Sequence, residues 1–174
     1  MIKKNKVKFV IFEGIKGTGK TFLEKALVKH NPKKFIMVPD HFLLNFFSKT
    51  NLENPLQFKD IHLGYILSSF HFPFLLESKQ ILLMGRAHLT YALKRYFRTE
   101  EERLEDFKKL DLFLSKKNVF LIFFIKKWTS LTREEREEQE KLLLLFCMTK
   151  IKTKLLLRFK EWTLQRVLKF LNEK

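Results

Sequence analysis

The chain has 174 residues, 45% of them hydrophobic, which is enough for one sizeable core and too little for two comfortable domains. Its single cysteine excludes an intramolecular disulfide and fits a reduced, cytoplasmic setting, and no apolar run approaches the roughly 18 residues of a membrane span. With 35 Lys and Arg against 19 Asp and Glu, the net charge is +16, which favours a polyanionic partner such as a nucleotide or nucleic acid, although the lysines lie scattered in pairs such as Lys33-Lys34 and form no basic block.

Val7 to Glu13 opens the chain as a buried strand running into a glycine loop; its apolar part is too short for a signal sequence. Thr21 to His30 has helical spacing at Phe22, Ala26 and Leu27 and stops at Asn31-Pro32. Phe35 to Val38 is a short strand ended by Pro39, His41 to Ser48 is an apolar helix, and Asn51 to Pro55 is a turn. Leu56 to Phe72 carries Ile61, Tyr65, Ile66 and Phe70 at the spacing of a buried helix. Ile81 to Met84 is a strand ending at Gly85, followed by helices over Ala87 to Phe97 and Glu100 to Leu114. Val119 to Ile125 is a strongly apolar strand. Thr132 opens a helix with Glu135 three residues on, the spacing of a capping box, and Cys147 within its apolar end reads as a buried small hydrophobe. Leu155 to Phe159 is a last strand and Trp162 to Leu171 a closing helix. Strands alternating with helices predict a parallel five-stranded sheet covered on both faces, with ligands outside the carboxyl ends of its strands.

One motif carries chemistry. Gly14-Ile15-Lys16-Gly17-Thr18-Gly19-Lys20-Thr21 fits G-x-x-x-x-G-K-[ST] at all eight positions, between a strand and a helix. Glycines let successive backbone N–H groups turn toward phosphate oxygens, and the following helix adds its positive N-terminal end. Lys20 then reaches the β- and γ-phosphates of ATP, and the Thr21 hydroxyl is a ligand for Mg²⁺. The fold class is therefore a three-layer α/β fold of the P-loop NTPase type, with 1–174 as one domain and a short lid near 128–148.

Phosphoryl transfer also needs an acid, cations around the moving group and an acceptor-orienting residue. Candidates stand at strand ends: Glu13 before the loop, Asp40 after the second strand and Arg86 after the third. Arg133 and Arg136, three apart, share a helix face. Each has a plainer reading: Glu13 organises the loop, Asp40 caps the helix from His41, Arg86 pairs with a carboxylate, and the two arginines join the salt-laced face of Glu134, Glu135, Glu137 and Glu138. Tyr65 and Tyr91 are either core or base contacts, and His62, His71 and His88 do not have zinc spacing.

Phe12-Glu13-Gly14 through Thr21 resembles the start of the thymidylate kinase and deoxynucleoside kinase superfamily. Val38-Pro39-Asp40, the helix from His62 to Ser69, Leu83-Met84-Gly85-Arg86 and the arginine-bearing stretch from Thr132 to Glu140 match that family's landmarks in order. The resemblance implies ATP on the loop and a nucleoside or nucleoside monophosphate over the helix from Leu56 to Phe72, with His62 as a substrate contact. It implies that Glu13 takes the acceptor hydroxyl proton, that Arg86 holds substrate phosphate or the migrating phosphoryl, and that Arg133 and Arg136 close over ATP. The chain departs from the pattern where Gly85 replaces the acid of the family's acid–Arg pair, where Met37-Val38 replaces an arginine, and where Lys16 stands inside the loop.

Two functional expectations follow. One is a cytoplasmic, thymidylate kinase-like enzyme using ATP and Mg²⁺, with the Phe surplus available to a homodimer interface. The other, motivated by Gly85 and the net charge, is a catalytically weakened P-loop ATP-binding protein with a regulatory or nucleic-acid-linked role.

Overall fold

The first strand, β1 (Lys8–Glu13), is apolar at every position between its ends, with Val10, Ile11 and Phe12 fully buried. A strand without polar alternation has to be covered on both faces, and β1 lies at the centre of the sheet. In the computed structural model, which describes residues 8–38, 66, 80–93, 99–158 and 163–172, β1 pairs in parallel with β3 (Ile81–Gly85) on one side and β4 (Val119–Ile125) on the other. The short β2 (Phe35–Met37) extends the sheet beyond β3, and β5 (Thr153–Arg158) extends it beyond β4. The order β2-β3-β1-β4-β5 is that of one five-stranded, all-parallel sheet. The expected α/β architecture is present.

Alternate residues of each strand feed different layers. Phe9 and Ile11 of β1, with Leu121 and Phe123 of β4, face a layer built from α2 (His88–Leu93), α3 (Glu100–Ser115) and α4 (Arg133–Met148), where Phe107, Leu110, Leu142 and Phe146 are buried. Val10 and Phe12, with Ile122 and Phe124, face α1 (Lys20–His30) and α5 (Leu164–Asn172) through Leu23, Leu27, Val167 and Leu171. Both α3 and α4 begin with complete capping boxes, Thr99 with Glu102 and Thr132 with Glu135. Both carry the Thr-x-x-Glu spacing in the sequence.

Observed bounds differ from the expected ones by a residue or two in most elements. The helix expected from Ala87 is described over His88–Leu93, and 94–98 lie outside the described residues. The helices expected over His41 to Ser48 and Leu56 to Phe72 also lie outside them, except Ile66, which is helical and buried in the core. The expected burial of Cys147 is overturned: it is exposed. Helix α4 buries Gln139, Leu142 and Phe146, and the next residue after Phe146 is turned about 100° away from that face.

The chain leaves β1 toward β2 on one side of the sheet and leaves β3 toward β4 on the other. The carboxyl ends of β1 and β3 therefore border the point where the winding direction changes, the general location of ligand crevices in such sheets.

Candidate phosphate-binding site

Glycine geometry shapes the loop after β1. Gly14, Gly17 and Gly19 have φ of 130°, 79° and 89°, conformations that side chains strongly disfavour. At Gly14 a second constraint acts, because a Cβ there would lie 2.5 Å from the backbone oxygen of Phe124 on β4. At Gly17 a Cβ would meet nothing within 4 Å, so only the backbone conformation demands glycine. The Thr18 hydroxyl donates to the Ile15 carbonyl at 3.0 Å and ties the loop across itself.

Helix α1 starts from Gly19 with no side-chain cap and no acid in its first turn, unlike α3 and α4. Its first N–H groups and its positive end are left for an anion. Lys20 in that first turn is buried, and its Nζ donates to the carbonyls of Gly14 and Ile15, each at 2.6 Å, and to Thr18 Oγ1 at 3.2 Å. Burial, and next the Arg86 guanidinium, push the Lys20 ammonium down from 10.5 to about 8, against the opposing pull of Glu13, Glu24 and Glu138. The ammonium is thus folded onto its own loop and is held there at a cost in its charged form.

A cavity of about 270 Å³ opens beside Lys20, lined by the loop from Lys16 to Gly19, by Thr21, Phe22 and Glu24 of α1, and by Gly85 and Arg86. Arg86 is at the end of β3 with φ of 52°, the left-handed region, and its N–H donates to the Phe12 carbonyl at 2.9 Å. That bond fixes the β3 end beside the start of the loop, so a guanidinium from the end of β3 and an ammonium from the first turn of α1 border the same cavity. The lining includes a hydroxyl at Thr21 and a carboxylate at Glu24, oxygen donors of the type Mg²⁺ takes.

Glu13 is fully buried and its carboxylate is turned to α2. Oε1 accepts from the N–H groups of Leu89 and Thr90 at 3.0 and 3.3 Å, and Oε2 accepts from the Thr90 hydroxyl at 2.6 Å. A carboxylate at a helix N-terminus satisfies orphan donors and meets the positive end of the helix. The residue just before these amides, His88, reaches Asp111 of α3 at 3.4 Å. Asp111 also accepts from the Thr149 hydroxyl and, at 2.8 Å, from the Lys150 N–H. Burial alone would raise the Asp111 pKa, but the His88 ring beside it and the hydrogen bonds from Thr149 and Lys150 outweigh it and hold the carboxyl below its ordinary range.

The loop residues Lys16 to Thr21, with Arg86, are brought together as the sequence suggested. Tyr91 is fully buried in the core and offers no surface to a ligand. Arg133 lies on the outer surface, its side chain 90% exposed and paired with Glu137 at 3.3 Å, and Arg136 is exposed. Neither lines the cavity. The α4 residue whose charge reaches Lys20 is Glu138, and helix phase sets it well over 90° around from both arginines. Asp40, His62 and Tyr65 lie outside the described residues. Glu24 also lines the cavity, and its only signal in the sequence is its place four residues after Lys20, on the same helix face.

A parallel sheet ordered 2-3-1-4-5, with a glycine loop and lysine after its central strand, defines an α/β fold of the P-loop kinase type. The structure is similar to the thymidylate kinase of Ehrlichia chaffeensis, with a TM-score of 0.59 and 17% identity over 96% of this chain and 100% of that one. It is similar to the thymidylate kinase of Candida albicans, with a TM-score of 0.56 and 16% identity over 97% and 90% of the two chains. Shikimate kinase from Acinetobacter baumannii, solved in complex with shikimate, shares the fold with a TM-score of 0.53 and 11% identity over 97% and 94%. No family model matches the sequence, and no curated protein matches it either. The likeness is one of fold, and that fold serves kinases with different acceptors.

Proposed function

We propose that this chain is a small phosphotransferase that binds ATP with Mg²⁺ on the loop from Gly14 to Thr21 and passes the γ-phosphoryl group to a nucleoside monophosphate or deoxynucleoside, in the manner of a thymidylate kinase. The observation that carries this reading is the uncapped start of α1 meeting a glycine loop, with the Lys20 ammonium and Arg86 beside the same cavity. Loop amides and Lys20 would hold the β- and γ-phosphates. When bound, Mg²⁺ supplies charge neutralisation at the phosphate oxygens, and Thr21 and Glu24 are the residues suited to hold it. Arg86 would stabilise charge on the moving phosphoryl group from the β3 side. Glu13 acts first as a positioning group, through its bonds to α2; a part in accepting the acceptor's proton would require its carboxylate to leave those bonds.

The nucleotide acceptor is favoured by likeness to two thymidylate kinases and by the ordered landmarks of the sequence. The test is a coupled assay of ADP release across nucleosides, nucleoside monophosphates and shikimate. Turnover that depends on thymidine or its monophosphate supports the reading. ATP binding with no acceptor-dependent turnover favours the second reading, an ATP-binding protein with weakened chemistry, for which Gly85 at the β3 end and the engaged Glu13 oxygens speak. Steep salt dependence of nucleic-acid binding would then identify a polyanion-linked role.

A further inference from the structure

We propose that Glu24 supplies the carboxylate that helps hold the metal of a bound metal–nucleotide, a role that no strand end next to the loop fills. The inference rests on the phosphate-site reading and deepens it. A hard divalent cation at a triphosphate takes oxygen ligands, normally a hydroxyl of the loop and an acid from a neighbouring strand. Here β3 ends at Gly85 and continues into Arg86, and β4 ends at Ile125 and continues into Lys126, so neither strand beside β1 presents an acid at its carboxyl end. Glu13 at the end of β1 has its oxygens turned to α2. Among the described residues lining the cavity, Glu24 is the one carboxylate.

Its placement fits the role. Glu24 comes from α1 one turn after Lys20, so the two side chains rise on one helix face. It is 2% exposed, yet it borders the cavity with Thr21 and Arg86. A carboxylate kept this far out of water needs hydrogen-bond donors or cations around it. Its negative charge acts on Lys20, opposing the effect of burial on that ammonium. Supplying the acid from the helix would free the β3 position to be glycine.

The experiment is titration calorimetry with ATP, once with Mg²⁺ and once with a chelator, on the wild type and on Glu24→Gln. The Gln variant should lose about tenfold or more of the tightening that Mg²⁺ gives, the scale on which metal-supporting groups act. Metal-free ATP should bind it as well as or better than the wild type, because one negative charge has been removed from the site. Glu24→Asp, which keeps the charge and shortens its reach, should lose part of the Mg²⁺ effect, and it serves where the Gln variant does not fold. A wild type whose ATP affinity is indifferent to Mg²⁺, or either variant with the full Mg²⁺ effect, overturns the role of Glu24 and leaves the phosphate site standing. A wild type that binds ATP under neither condition overturns the phosphate site as well.

Discussion

Raising the pH should loosen nucleotide binding through one residue. Lys20 in the free protein loses its proton near pH 8, because burial and Arg86 disfavour its charged form. A triphosphate on the loop favours the ammonium, so the bound form keeps the proton to higher pH. Going from about pH 7 to about pH 9, the protonated fraction of the free site falls from roughly nine-tenths to roughly one-tenth, so affinity should drop about tenfold, about 1.4 kcal/mol. Calorimetry in buffers of different ionisation enthalpy should show proton uptake on binding at the higher pH. Lys20→Met should bind weakly at both values and take up no proton. The same shift acts on folding with the opposite trend. Because the folded pKa is lowered, the unfolded chain binds more protons between about pH 8 and pH 10.5, and the contribution of this residue to stability rises with pH across that window by up to about 3 kcal/mol. Denaturant titrations of wild type against Lys20→Met isolate that rise from the titration of the other lysines. Equal ATP affinity at pH 7 and 9, or a Met variant with the same pH profile as the wild type, would refute the reasoning.

Other substitutions test neighbouring parts of the site. Gly14→Ala should cost several kcal/mol, because it combines a 2.5 Å approach to Phe124 with a forbidden φ, whereas Gly17→Ala should cost about 1–2 kcal/mol from its φ alone; thermal melts rank the two. Glu13→Ala should lower stability by about 1–3 kcal/mol by leaving buried donors of α2 unsatisfied, measured by chemical denaturation. Asp111→Ala should cost about 2–4 kcal/mol, since it strands the Thr149 hydroxyl and the Lys150 N–H, and the part owed to its lowered pKa disappears in the wild type as pH falls below the ordinary carboxylate range. Arg133→Ala with Arg136→Ala should leave ATP affinity within about twofold, because these exposed side chains do not line the cavity, while Arg86→Ala should weaken it; fluorescence titration with a labelled nucleotide decides between them.

The loop was readable because its signal is local: eight consecutive residues between a strand and a helix specify one backbone path. The strands were readable for the same reason, as apolar runs such as Val119–Ile125 admit few alternatives. What could not be read was where side chains meet across elements. Glu13 announces a carboxylate beside the loop, but nothing in the sequence says that Leu89 and Thr90, more than 70 residues on, will claim its oxygens. Cys147 shows the limit of composition: an apolar run on a helix still has an outer side, and only the phase against Leu142 and Phe146 determines which residue faces it. Arg133 and Arg136 share a face as their spacing indicated, but spacing does not tell toward what that face is turned.

The contrast between the bare start of α1 and the boxed starts of α3 and α4 has a consequence for hydrogen exchange. Amides in the opening turn of α1 lack a side-chain acceptor, so in the free protein they should trade their protons for deuterium ahead of those at Glu102 and Glu135, which Thr99 and Thr132 hold. Occupancy by a phosphate ligand should slow that turn selectively and leave the other two unchanged, which makes the first turn of α1 a built-in reporter of when the site is filled.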